Sequence, residues 1–412
     1  MQRILFAIII FLGALLLARE PHVERVDSFF VSWLLKNTKP HGQHVPLTVV
    51  EIGRDPLLEK TPENASSNQN PIVHGTATGV TPLEFALFLQ SIVDYKPTVV
   101  AFEPLIRWRE SERDQEQVFL DQAMRVPKLL LATQLTATPD PDAVPTEIVG
   151  FSQVKGRRGD LPTYTGIARQ PDEDLRLVST PGYINLPAEA TDATHVPLLF
   201  QYRSEVIPAF ALQTFLTWAR IPLGAVKIEI GSHIELPDGK KIPIRWDGSL
   251  LINPNADRLG RRFGMNELML LAQQHPPGKN SPLDSLHDEL VLARTPLNPL
   301  SPPDVFAATI ATLQSNHYVH RVSVLFDVAI LLLIAVLAGF AVRLARIDVL
   351  LGAIGLIAAY IIMSFVTISR RETYLPGVVP VTMILVATVI ALLWPREASV
   401  IPSAAEESRS ET

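Results

Sequence analysis

Four apolar runs set the plan of the chain: Ile4 to Ala18, Val322 to Val342, Val349 to Ile368 and Val378 to Trp394. The last three are 21, 20 and 17 residues long. As helices rising about 1.5 Å per residue they match a hydrocarbon core of roughly 30 Å. The first has 15 residues and is short for a span. Arg3 gives it the basic flank of a signal peptide or a signal anchor, and Leu16-Leu17-Ala18 offers only one small residue for cleavage, so an uncleaved anchor is expected. The block between the first two runs is ordinary globular sequence, long enough to bury a full core. The expected organisation is an anchor at 1–18, a periplasmic domain at 19–321, three transmembrane helices at 322–394 and a cytoplasmic tail at 395–412. That tail is rich in Ser and Glu and is expected to be disordered. No soluble output module is expected after Trp394, and output is expected to pass through a separate partner.

Within the globular block the pattern alternates between short apolar runs and helical stretches. Val45 to Ile52 reads as a buried strand. Thr81-Pro82-Leu83-Glu84 reads as a helix start, with a capping Thr, Pro at the first helical position and Glu reaching back. Lys96-Pro97 stops that helix. Thr98 to Phe102 is a second strand, Asp114 to Met124 a helix ended by Pro127, and Lys128 to Thr133 a third strand. This alternation predicts a parallel sheet with helices packed on it. Val196 to Tyr202 with Glu205 to Ile207 reads as a hairpin, followed by a helix from Phe210 to Ala219. Val226 to Ile230, Ile234 to Leu236, Lys241 to Ile244 and Ser249 to Ile252 read as short strands, with turn signals at Asp238-Gly239 and Asp247-Gly248. Leu290 to Ala293 returns to the buried-strand pattern. The fold class is an α/β ectodomain, mainly parallel with an antiparallel hairpin insertion, combined with an α-helical membrane bundle.

Charge and composition narrow the function. Charged residues make up 19% and the net charge is −6, which disfavours a nucleic-acid partner. The absence of cysteine excludes disulfides and thiolate metal sites. Arg343 and Arg346, between the second and third runs, place that connection and Arg3 in the cytoplasm by the positive-inside bias. Arg370 and Arg371 then face outward beside Glu372, against that bias. The expected location is a bacterial inner membrane, with Trp394 at the interface.

The order of these pieces resembles the CHASE domain of type two, an extracytoplasmic sensory domain of bacterial receptors with one span before it and three after. The resemblance is carried by Val49-Val50-Glu51-Ile52, by Val99 to Ile106 and by Gly182-Tyr183-Ile184-Asn185-Leu186-Pro187. Further pieces are Pro197-Leu198-Leu199 with Ile207 to Leu212, Leu250-Leu251-Ile252-Asn253, Leu290 to Ala293 and Ala307 to Leu313. Family members often carry Asp where this chain has Glu51 and Glu103. The resemblance implies a sensor that binds a small molecule or envelope component; members typically continue into a cytosolic output domain, and because this chain departs from them there, a separate output partner is expected. A homodimer is compatible with it, and no cofactor is implied.

Glu51 and Glu103 fall near the carboxyl ends of two strands, where open α/β sheets bind ligands, and Arg107 follows closely enough to pair with either. These three are the candidate ligand site; a structural ion pair or a helix-capping carboxylate is the alternative. His41, His44 and His74 lie in loop sequence and are expected to be solvated rather than to hold zinc. His74 to Gly79 precedes a helix start but lacks the P-loop lysine and the dinucleotide glycine spacing. Without a nucleophile or metal motif, no enzymatic activity is expected. Val305 to Ala338 contains neither Gly nor Pro and is expected to form one continuous helix coupling domain to membrane, with a break near Ser315-Asn316-His317 as the alternative. On it, Gln314 and the intramembrane acid Asp327 are the candidate coupling residues. The other reading of the whole chain is an envelope scaffold or assembly protein without ligand or signal.

Overall fold

The computed structural model describes residues 2–17, 21–52, 81–106, 108, 113–138, 148–186, 194–278, 281–295, 304–341 and 344–393. They fall into two compact units. One contains Met1–Val31, Arg321–Thr367 and Thr373–Thr412; the other contains Ser32–His320 and Ile368–Glu372. The helices in chain order are α1 (Gln2–Leu17), α2 (Pro21–Lys36), α3 (Pro82–Val93), α4 (Arg113–Ala123), α5 (Glu173–Val178), α6 (Phe210–Trp218), α7 (Met265–Gln274), α8 (Val305–Ser315), α9 (Val324–Ala341), α10 (Arg346–Arg371) and α11 (Val378–Leu393).

The larger unit is built on a sheet of β1 (Leu47–Glu51), β2 (Val99–Phe102), β3 (Leu129–Thr136), β4 (Gly166–Arg169), β5 (Thr180–Tyr183), β6 (Arg261–Gly264) and β7 (Leu290–Arg294). The spatial order is β6-β1-β7-β2-β3-β4, with β5 also pairing with β3. Every pairing is parallel except β3 with β4. The near-continuous apolar runs of β1, β2, β3 and β7 are what a sheet covered on both faces requires. Alternate side chains go to opposite faces. Val50, Val100, Phe102, Leu131 and Val291 meet Phe85 and Phe88 of α3, Phe119 of α4 and Leu268 of α7. Val49, Val99, Ala101, Leu130 and Leu292 meet Phe210 and Leu216 of α6 and Phe306 and Ile310 of α8.

The predicted helix start is present in full. Thr81 Oγ1 accepts from the Glu84 amide at 3.3 Å, and Glu84 accepts from the Thr81 amide at 2.8 Å. Beyond the main sheet, Leu199–Tyr202 and Glu205–Pro208 form the expected antiparallel hairpin. Val196 belongs instead to a separate strand, His195–Pro197, paired with Ser249–Leu251. Asp247-Gly248 does turn the chain, with Gly248 at φ 74°, but it carries the backbone from one small sheet to another. The small sheet holding Lys227–Glu229, His233–Glu235 and Lys241–Pro243 also takes Gln153–Lys155 as a parallel edge, so the insertion is not purely antiparallel.

One expectation is overturned. Residues 305–338 are not a single helix. α8 stops at Ser315 because Asn316 adopts φ 57°, a left-handed conformation that Asn tolerates without glycine's help. α9 starts only at Val324. α8 is buried along Val305 to Leu313, so it is a core helix of the larger unit and not a rigid strut.

In the smaller unit, Ile10 and Ala14 of α1, Leu331, Ile334, Ala335 and Ala338 of α9, and Val379, Met383, Ile384 and Ala387 of α11 form one apolar cluster. The Asp27 carboxylate accepts from the amides of Gly377 at 2.6 Å and Val378 at 3.1 Å, satisfying orphan donors where α11 begins. α9 and α10 are long and apolar enough to cross a membrane by length and composition.

Gly182 sits in β5 where a Cβ would lie 2.6 Å from the Phe210 ring and 2.8 Å from Leu130. Adding a methyl there overpacks the contact between β5 and α6. Gly182→Ala should lower stability by about 1–3 kcal/mol in chemical denaturation; an unchanged midpoint would show that this contact is loose.

Candidate functional site

Parallel pairing brings the carboxyl ends of β1, β7 and β2 to one edge of the sheet. Glu51 closes β1, Arg294 closes β7 and Glu103 directly follows β2. Glu51 and Arg294 are register partners, and the Glu103 amide donates to the Ala293 carbonyl at 3.0 Å. The two predicted acids are therefore separated by a whole strand, and Arg294 stands between them. Glu103 is buried at 3% exposure. Arg107 lies outside the described residues.

The cations at this edge come from positions that sequence reasoning passed over. Arg262 of β6 pairs with Glu51 at 3.0 Å, Asp257 at 2.9 Å and Asp304 at 2.5 Å. Arg294, with its side chain 6% exposed, pairs with Asp304 as well. Asp304 immediately precedes α8 at φ 66° and caps no helical amide with its side chain. Its carboxylate is turned instead to the two guanidiniums, and that double pairing holds the left-handed backbone in place. Among the described residues, Arg294 Nε, Thr295 Oγ1 and Trp108 Nε1 are buried here without a hydrogen-bond partner. The only hint in the sequence was an Arg directly after the buried run Leu290 to Ala293.

The other predicted residues are dispersed. The Gln314 side chain donates to the Pro46 carbonyl at 3.2 Å, tying α8 to the segment before β1. Asp327 lies in the first turn of α9, not deep in it, and pairs with Arg321 at 3.2 Å. His41 faces the Glu372 carboxylate at 3.5 Å and His317 faces it at 3.1 Å. His41 is thus engaged, not simply solvated, while His74 and the 74–79 loop lie outside the described residues. Among the described residues no group of three His, Asp or Glu could hold a metal.

A second location has the form of a ligand site. A cavity of about 390 Å³ opens beside β3 and β5. Thr133 pairs in register with Tyr183, and Leu131 with Pro181, so these four share one face of the sheet and form the floor. Ile148, Ile167, Pro208 and Leu223 add apolar wall, and α5 with the turn before it brings Gln170, Pro171 and Arg176. Pockets of this size with mostly apolar walls and a few polar groups are the usual form of small-molecule sites.

A half-buried histidine marks the antiparallel region. His195 Nε2 accepts from Arg245 at 2.8 Å. Burial first, and the Arg245 charge second, lower its pKa from 6.5 to about 4, with Asp247 opposing. In comparison with known proteins, no family model, curated protein or solved structure matches the chain.

Two measurements follow from these charges. Asp304→Asn leaves Arg294 buried beside a neutral amide and should cost about 3 kcal/mol or somewhat less, the low end for a broken buried pair because Asp304 is partly exposed. Glu51→Gln should stay within about 1 kcal/mol, since Arg262 is 40% exposed and keeps two other carboxylates. Equal losses from the two variants would contradict this ranking. His195 binds its proton more weakly folded than unfolded. Its contribution is complete above pH 6.5 and falls as pH drops toward about 4, on the order of 3 kcal/mol in total. His195→Gln should flatten that part of the stability–pH curve; an unchanged slope would place the titration elsewhere.

Proposed function

We propose that the chain is a membrane-anchored receptor of the CHASE type-two kind, in a bacterial inner membrane with the α/β unit in the periplasm and the C-terminus in the cytoplasm. The observation that carries the binding half of this reading is the apolar cavity of about 390 Å³ in a two-sided α/β unit. The anchoring half rests on α9 and α10. Their most apolar stretches have mean hydropathy 2.8 and 2.5, yet only 22% and 17% of them is buried within the chain. A soluble core helix of that composition would be enclosed; these present apolar surface that a lipid bilayer would cover. α1 and α11 complete a four-helix membrane bundle in this reading, with Asp27 ordering the start of α11.

Occupation of the cavity would favour one arrangement of the α/β unit over another, and the helices would pass that preference to a membrane or cytosolic partner. Residues 316–323 separate α8 from α9, so the signal does not travel along a continuous helix. The scaffold reading draws its support from the carboxyl edge, where Glu51 and Arg294 are committed to ion pairs within the chain.

The cysteine-free sequence makes labelling clean. Gly159→Cys should react with a membrane-impermeant maleimide in spheroplasts, and Ala345→Cys only after permeabilisation. Equal labelling of both before permeabilisation would contradict the proposed topology.

A further inference from the structure

The cavity beside β3 and β5 carries polar groups that the fold does not use. Tyr183 is 4% exposed and Thr133 is 2% exposed. Among the described residues neither hydroxyl has a hydrogen-bond partner, although both line the cavity floor and face the same side of the sheet. In an open cavity such hydroxyls are met by water, and a ligand's polar atom placed between them can take over those hydrogen bonds. Burial, and then the neighbouring Tyr202, raise the Tyr183 pKa, so its hydroxyl stays a donor throughout the physiological range.

The mouth has the opposite character. Arg176 of α5 lines it and is exposed, and among the described residues it has no ion-pair partner. Among the described residues lining the cavity none is a carboxylate, and Arg176 is the charged one. Gln170 and Gln213 also line it without a side-chain hydrogen bond among the described residues. Between floor and mouth the wall is apolar: Ile148, Ile167, Pro208 and Leu223.

We infer that this cavity binds a small amphipathic organic acid: a carboxylate held at the mouth by Arg176, an apolar body against the wall, and a hydroxyl or carbonyl oxygen at the floor between Tyr183 and Thr133. The fork of a guanidinium fits a carboxylate through two parallel hydrogen bonds, which gives the mouth its preference for an acid over a neutral amide. The two floor hydroxyls offer donors and acceptors to a single oxygen, and the apolar wall between them and Arg176 rejects a ligand that is polar throughout. This inference rests on the binding role proposed above and names the ligand class for it.

The test uses the full chain, purified in detergent, with para-hydroxyphenylbutyrate, its amide and phenylbutyrate as probes. Thermal unfolding and calorimetry report binding, since a ligand of the native state raises its apparent stability. The hydroxy acid should bind best. The amide and the acid lacking the hydroxyl should each be weaker. Arg176→Gln, a change on the surface, should lower affinity for the hydroxy acid by about tenfold to a hundredfold and leave the amide unchanged. Tyr183→Phe should erase the advantage of the hydroxy acid over phenylbutyrate. Absence of binding by either acid at millimolar concentration, an amide bound as tightly as its acid, or wild-type affinity in Arg176→Gln would each overturn the inference. Labelling at a cysteine in the helical unit, followed with and without the acid, separates this from the receptor reading. Binding without any change there sinks the receptor and leaves the site standing.

Discussion

A fully buried strand that ends in a charge governs this structure. β7 occupies the middle of the sheet, between β1 and β2, although its residues come nearly two hundred positions later than β2. All five of its residues are buried, the last being Arg294. A guanidinium does not shed its proton to escape a low-dielectric site. An anion must therefore be delivered to it, and Asp304 delivers one from the position where the chain turns into α8. The requirement for that carboxylate sets where α8 begins. α8 then supplies Phe306 and Ile310 to one whole face of the sheet, against Phe210 of α6. The opposite face closes around Phe85, Phe102, Phe119 and Trp108, whose rings meet at centroid distances of 5.1 to 6.2 Å.

The segments that could be read from the sequence are those where one local rule decides the outcome. Apolar runs in β1, β2, β3 and β7 and the cap at Thr81 announce themselves because burial on both faces and helix initiation leave direct traces in residue type. β6, with the sequence Arg-Arg-Phe-Gly and no buried residue, carries no such trace; it is a strand because β1 offers it an edge. β5 contains Pro181 and Gly182, which argue locally against a strand, and it exists because β3 pairs with it and Phe210 needs the space that glycine leaves. The break at Asn316 could be named from the sequence only as an alternative, for a related reason. Absence of Gly and Pro permits a long helix but does not require one, and packing of α8 in the core decided otherwise.

The candidate site divides in the same way. That Glu51 and Glu103 end neighbouring-type strands was legible, because strand direction follows from the alternation of strands and helices. That another strand would stand between them was not, since β7 lies far away in the chain and sheet order is a long-range property. The cations Arg262 and Arg294 and the acid Asp304 were missed because each belongs to a different distant segment. The cavity was missed altogether: Thr133, Arg176, Tyr183 and Gln213 have no shared pattern until the sheet register and α5 assemble them.

The larger unit thus has a rigid centre and an adaptable edge. β1, β7 and β2 are locked by burial on both faces and by the Arg294–Asp304 pair, whereas β3, β5 and α5 surround open volume and unspent polar groups. Ligand-responsive elements are expected at the less stable end of a fold. Hydrogen exchange on the full chain, followed segment by segment, tests this directly. Amides of Leu47–Glu51, Leu290–Arg294 and Val99–Phe102 should exchange only through global unfolding, and those of Thr180–Tyr183 and Glu173–Val178 much faster, through local opening. Uniform protection across both sets, or a faster-exchanging centre, would contradict the division on which the proposed binding role depends.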